Sequence, residues 1–121
     1  MELRVESHRD VDAVRITGRL DLVSSSTLKD LIRERLSDRR LNLVLNLDRV
    51  DFINSSGLGA LISALKDVRL SNGRLVLCHM APYVDEIFEL TGLKKVFDTY
   101  TTEDEAVASF TVTSRRAVAA H

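Results

Sequence analysis

A chain of 121 residues has the size of one domain, and a globule of that length buries roughly two-thirds of the surface its unfolded chain exposes, so one core is expected. Apolar types make up 45% and charged types 29%; 17 basic against 18 acidic residues leave a net charge of −1, and with no tryptophan, two tyrosines and four phenylalanines neither a basic footprint nor a stacking platform for direct nucleic-acid binding is expected. No apolar run approaches the ~20 residues of a membrane span, and charges in Met1-Glu2-Leu3-Arg4-Val5-Glu6 stand where a signal peptide needs apolar residues, so a soluble, unprocessed cytoplasmic chain with no membrane contact is expected.

Leu3 and Val5, then Val14 and Ile16, follow the period of two of β-strands, and His8-Arg9-Asp10 reads as the hairpin connection between them. Ser24-Ser25-Ser26-Thr27 offer capping hydroxyls ahead of Leu28, Leu31, Ile32 and Leu36, which have the spacing of an amphipathic helix. Leu41-Asn42-Leu43-Val44-Leu45-Asn46-Leu47 is too short and too continuously apolar for another such helix and suits a central strand covered on both faces; Asp48 to Phe52 then lead to a loop.

Leu58, Leu61, Ile62, Leu65 and Val68 make a second helical stripe, stopped at Asn72-Gly73, where glycine accepts the left-handed conformation of a helix end. Leu75 to Cys78 form another buried strand. A single cysteine cannot form an intramolecular disulfide, and Cys78 reads as strand filling in a reducing compartment. Pro82 fits the first turn of a third helix that carries Val84, Ile87 and Phe88 inward and ends at Gly92; Val96-Phe97 offer a short final strand. Thr102 and Glu105 have capping-box spacing at the start of a last helix through Phe110.

The order β-β-α-β-α-β-α-β-α predicts an α/β sandwich with an N-terminal hairpin, about four helices and a mostly parallel central sheet, because strands separated by helices must be joined by crossovers. Residues 1 to 110 read as one domain and residues 111 to 121 as a flexible tail.

Asp51-Phe52-Ile53-Asn54-Ser55-Ser56-Gly57-Leu58-Gly59 joins a strand to a helix, where four backbone N–H groups lack internal acceptors and the helix dipole presents partial positive charge. Asn54 can cap, Ser55 and Ser56 bring hydroxyls into the first turn, and Gly57 and Gly59 leave the backbone open to close approach by another molecule. A capped helix start with no further role uses the same residue types, so the residues alone leave both readings open.

Gly18-Arg19-Leu20-Asp21, the Leu-rich central strand and the segment from Asp51 to Gly59 together resemble the STAS family, named for sulfate transporters and anti-sigma factor antagonists. The resemblance implies a STAS-like sandwich and a free-standing anti-sigma factor antagonist. Such a protein binds a serine-kinase anti-sigma factor, thereby frees a sigma factor, and is switched off when the kinase phosphorylates it; a serine phosphatase reverses the mark. By resemblance Ser55 is the phosphoacceptor, and Asp21, Asn54, Ser56, Gly57, Leu58 and Gly59 line the partner-binding site. No cofactor is implied. Asn54 stands where the family has Asp, which keeps the capping oxygen but removes a charge beside the acceptor hydroxyl. Asp21 also has a purely local use, as a hydrogen-bond acceptor in the turn before the first helix.

Two other readings compete. A hydrolase built on Ser55 or Ser56 needs a histidine base, yet His8 falls in a hairpin, His121 in the tail, and His79, the one candidate, after a strand. Neither a Gly-x-Ser-x-Gly elbow nor a Gly-rich Lys-Ser/Thr phosphate loop is present, and Cys78-His79 offers too few ligands for zinc, so neither catalysis nor a metal is expected. The alternative that keeps the fold is a scaffold or a lipid- or nucleotide-sensing module in which Ser55 is never modified.

Overall fold

Leu43, Val44 and Leu45 are successive and all fully buried, as a strand covered on both faces requires, and the architecture is layered around them. In the computed structural model, which describes residues 1–110, β1 (Glu2–His8) and β2 (Val11–Leu20) form an antiparallel hairpin. β3 (Asn42–Ile53), β4 (Arg74–Cys78) and β5 (Asp98–Tyr100) add in parallel, giving the spatial order β1-β2-β3-β4-β5. Helices α1 (Leu22–Ser37), α2 (Ser55–Leu70) and α3 (Pro82–Thr91) lie in the crossovers, and α4 (103–110) follows β5. This is the α/β sandwich with a hairpin and four helices that the periodicity predicts.

Strand register separates two cores. Val14, Leu45 and Leu77 lie side by side and, with Ile16, Leu43, Leu47 and Leu75, meet Leu28 and Ile32 of α1, Leu61 and Val68 of α2, and Val84 and Phe88 of α3. The neighbouring row, Ala13, Val44 and Val76, faces the other way and packs with Val11 and Cys78 on Ala106 and Phe110 of α4. A one-residue slip would exchange the two rows, so register is strongly specified.

Two buried carboxylates tie the layers together. Asp12, fully buried, accepts hydrogen bonds from Arg40 at 2.7 and 3.1 Å and from Ser7 Oγ at 2.7 Å, with Arg35 3.6 Å away, joining the hairpin to the end of α1. Burial alone would raise its pKa; the Arg40 and Ser7 hydrogen bonds and the two guanidinium charges outweigh that and hold the carboxyl below its ordinary value. Glu103 opens α4 and accepts from Arg15 at 2.7 and 3.0 Å and from Asn46 at 3.1 Å. The Arg15 hydrogen bonds, helped by Asn46, depress its pKa against the cost of burial.

Four boundaries differ from the sequence expectation, each for a physical reason. Helix α1 starts before the serine run, because Asp21 is the cap: its carboxylate accepts from the Ser24 N–H at 3.2 Å and Ser24 Oγ accepts from the Asp21 N–H at 2.9 Å. Strand β3 continues through Asp48–Phe52 to Ile53 because β2 continues beside it, with Gly18, Arg19 and Leu20 opposite Val50, Phe52 and Ile53; left-handed Gly18, φ 105°, sits at a register shift in that ladder. At the end of α2 it is Asn72 that turns left-handed, with φ 63°, whereas Gly73 is needed for space: a Cβ there would lie 2.3 Å from the Leu41 carbonyl oxygen.

The final strand is Asp98–Tyr100 and not Val96-Phe97. Gly92 ends α3 in the left-handed conformation as expected, but Leu93–Lys95 then form a 3-10 turn. Phe97 is buried against Phe88, with ring centroids 5.8 Å apart, and pairing with β4 begins only where Asp98 comes opposite Val76. Thr102 caps α4 by accepting from the Glu105 N–H at 3.1 Å. The expected tail, 111–121, lies outside the described residues, among which no helix is long and apolar enough to cross a membrane.

Candidate functional site

The ends of β2 and β3 are paired at Leu20 and Ile53, so the helices that follow them start side by side. Asn54 caps α2, its Oδ1 accepting from the Gly57 N–H at 3.1 Å. Ser25 of α1 donates from Oγ to the Ser56 carbonyl at 3.2 Å, and Oγ also reaches the Asp21 carbonyl, which binds the two first turns together. Two helix dipoles converge on this edge of the molecule: the Asp21 carboxylate offsets the positive end of α1, whereas α2, capped by neutral Asn54 and with no acidic residue in its first turn, keeps its own uncompensated.

Ser55 is the first residue of α2 and is exposed; among the described residues its hydroxyl has no hydrogen-bond partner. Ser56 is half-buried, as are Asn54 and Leu58. Leu58 packs against the larger core while leaving part of its surface open. Gly59 is exposed, and a Cβ there would meet nothing within 4 Å, so this is the open glycine of the turn.

Gly57 is different, and corrects the expectation of an open, partner-facing backbone. It is buried, and a Cβ at this position would lie 2.1 Å from the Leu20 carbonyl oxygen and 3.0 Å from an Ile53 side-chain carbon. Glycine is required there so that α2 can pack against the end of β2. A bulky residue at Gly57 would therefore disturb the fold as well as any surface it presents.

Asp21 sits beside the site and also serves the turn. Its carboxylate holds the α1 cap and lies 3.5 Å from Arg19 Nε; the Ser24 backbone hydrogen bond, followed by the Ser24 hydroxyl and Arg19, lowers its pKa. Several neighbours escaped the sequence reading. The Arg19 guanidinium stacks 3.8 Å over the Phe52 ring, and the Tyr83 hydroxyl approaches the Ile53 carbonyl at 3.5 Å from the start of α3. Leu22 and Val23, in the first turn of α1, are 73% and 83% exposed. They fall before the Leu28-Leu31-Ile32-Leu36 stripe, and an apolar pair off the stripe directly after an Asp cap was a signal available in the sequence.

Other reactive groups lie apart from this turn. His79 follows β4 with φ 55°, and its N–H donates to the Tyr100 carbonyl at 3.3 Å; among the described residues no hydrogen bond joins it to Ser55 or Ser56. Burial pushes the Cys78 thiol up to about 12, which leaves it an inert core group. Glu6, His8 and Glu103 are close enough to share a cation, but Arg15 occupies that place, 2.5 Å from Glu6 and 2.7 Å from Glu103. The donor set is satisfied by a guanidinium and does not fit a metal centre.

Comparison with known proteins bears on this arrangement. The STAS domain profile matches residues 2–106. The anti-sigma F factor antagonist of Paenibacillus polymyxa is 30% identical over 115 residues, covering 94% of this chain and 98% of that protein. The crystal structure of an anti-sigma factor antagonist from Mycobacterium paratuberculosis superposes with a TM-score of 0.79 at 30% identity, over 89% of this chain and 92% of that one. The Bacillus cell fate determinant SpoIIAA, solved in its phosphorylated form, shares the fold with a TM-score of 0.70 at 22% identity, over 90% and 99% of the two chains. Profile, relatives and fold agree, and the chain belongs to the STAS domain family, on the side of the anti-sigma factor antagonists, which are regulatory proteins and not enzymes.

Proposed function

We propose that the chain is an anti-sigma factor antagonist whose partner, a serine-kinase anti-sigma factor, docks on the paired first turns of α1 and α2 and phosphorylates Ser55. The observation that carries this reading is the exposed, unpartnered hydroxyl of Ser55 at the first position of α2, beside the more enclosed Ser56. Asp21, Asn54, Ser56, Leu58 and Gly59 form the surroundings of the acceptor, and Gly57 sets the position of the turn through its contact with Leu20. Unmodified protein engages the anti-sigma factor and frees the sigma factor. Phosphorylated protein does not, until a serine phosphatase removes the mark.

The energetics favour a switch by surface charge. A phosphate adds about −1.5 to −2 charges, and at two converging helix N-termini it is stabilised locally by roughly 0.3–1 kcal/mol. Against a closely packed partner the same group must be desolvated, at a cost of several kcal/mol. Binding is lost while the fold persists. Asn54, in place of an acid, lowers the negative charge beside Ser55 and leaves the cap intact.

The test is binding of purified variants to the kinase anti-sigma factor of the same cell. Ser55→Ala is expected to bind and to resist phosphorylation, and Ser55→Asp to bind more weakly at unchanged melting temperature. Tight binding by Ser55→Asp together with phosphate incorporation into Ser55→Ala would refute the assignment and favour an unmodified scaffold.

A further inference from the structure

The seven residues of β1 form one outer edge of the sheet, and among the described residues nothing pairs with its free side. The opposite edge, β5, is three residues long and offers little to an added strand. By contrast β1 runs its whole length against β2 without a bulge and contains neither proline nor lysine, the usual devices for blunting an edge. Its charges are ordered instead. Glu6 pairs with Arg15 and His8 lies 3.9 Å from Glu103, which sets Glu2, Arg4, Glu6 and His8 on the α4 side of the sheet. Leu3, Val5 and Ser7 alternate on the other side, where Leu3 packs against the larger core and Val5 is 39% exposed.

An edge strand that pairs with a second copy of itself does so about a two-fold axis, and the residue on the axis decides which side chains meet. Centred on Val5, the middle of β1, the strands overlap completely. Arg4 then faces Glu6 of the second copy, Glu6 faces its Arg4, Val5 faces its Val5, and each His8 faces a Glu2. Centred on Arg4, the two arginines meet and Glu2 faces Glu6; centred on Glu6, the carboxylates meet. Like charges directly opposite destabilise a ladder, so one full-length register stands out. Arg4 has no ion pair within the chain among the described residues and is free to supply that contact.

We propose that β1 is a self-association surface through which two copies join antiparallel about Val5, making one continuous sheet closed by two reciprocal Arg4–Glu6 ion pairs. So short an edge-to-edge contact lies at the weak end of protein interfaces, and the dimer is concentration-dependent. The Ser55 turn follows β3 in the middle of the sheet, so this inference does not depend on the kinase reading.

Sedimentation velocity of the full chain from micromolar to near-millimolar concentration tests it, with circular dichroism as a check of folding. The wild-type chain is expected to shift from monomer toward dimer. Arg4→Glu, which sets carboxylate against carboxylate at both crossings, is expected to weaken the dimer roughly tenfold or more. The double variant Arg4→Glu/Glu6→Arg restores opposite charges and is expected to recover it. Amide exchange of wild-type β1 supplies a second readout, in which protection of those β1 amides that point away from β2 rises with concentration. A monomer throughout, a dimer indifferent to Arg4→Glu, or a folded double variant that stays monomeric overturns the proposal. So does protection of the outward-pointing β1 amides that does not rise with concentration, the inward-pointing ones being held by β2 in either state.

Discussion

Gly57 and Gly59 are two residues apart in one helical turn and have opposite roles. At Gly57 an added methyl group meets backbone, 2.1 Å from the Leu20 oxygen, and a carbonyl in a paired strand cannot move aside. Gly57→Ala is therefore expected to destabilise the protein by about 1–3 kcal/mol or more, as overpacking does. Gly59→Ala meets open space and replaces glycine inside a helix, so it is expected to stabilise by about 0.5–1 kcal/mol while crowding the proposed partner-binding surface. Urea midpoints of the two variants check this, and equal midpoints would contradict it. The sequence alone could not rank these glycines, because the atom that excludes a side chain at Gly57 belongs to a distant strand. Asn54 and Ser55 were legible, since a cap and a first-turn hydroxyl depend only on local backbone geometry. Leu22 and Val23 were not legible from periodicity, because they stand in the first turn of α1 off its buried apolar stripe.

At the scale of elements, α4 is held to the sheet by Ala106 and Phe110 and by one ionic clasp, Glu103 with Arg15 and Asn46. Because the folded-state pKa of Glu103 is depressed, the unfolded chain binds more protons as pH falls through the carboxylate range. The clasp's contribution is complete above the ordinary glutamate pKa and is lost as pH falls through the folded value. Asp12 acts in the same direction at the other end of the hairpin. Glu103→Gln is expected to lower stability at neutral pH and to flatten the acid limb of the stability curve, each unit of lost depression being about 1.4 kcal/mol. Chemical denaturation at a series of pH values reads this, and parallel acid limbs would count against it. Element type and order were legible from periodicity, whereas the far half of β3 was not. Asp48, Arg49 and Asp51 disguise it as a loop, and only the neighbouring extension of β2 keeps it in the sheet. Similarly, Val96-Phe97 has strand composition, but the pull of Phe88 on Phe97 delays pairing until Asp98.

For the whole molecule, the sheet carries α1, α2 and α3 over one core and α4 over the other, and brings two helix starts together at one edge. The family assignment was legible because the Gly18–Asp21 and Asp51–Gly59 segments are the two ends that the β2–β3 ladder places side by side. The coupling of their helices through Ser25 and Ser56 was not, since it joins two turns that periodicity treats independently. That coupling gives the proposed switch a rigid platform, so a phosphate changes what the surface presents and leaves the packing beneath it unchanged. Incubation with the kinase anti-sigma factor and ATP, site mapping by mass spectrometry, and titration of the purified phosphoprotein against the same partner test this most directly. The account predicts phosphate on Ser55, an unchanged melting temperature and a loss of affinity of at least about tenfold, or 1.4 kcal/mol. Phosphate confined to Ser56, or a Ser55-phosphorylated form that binds as tightly as the unmodified chain, would contradict it.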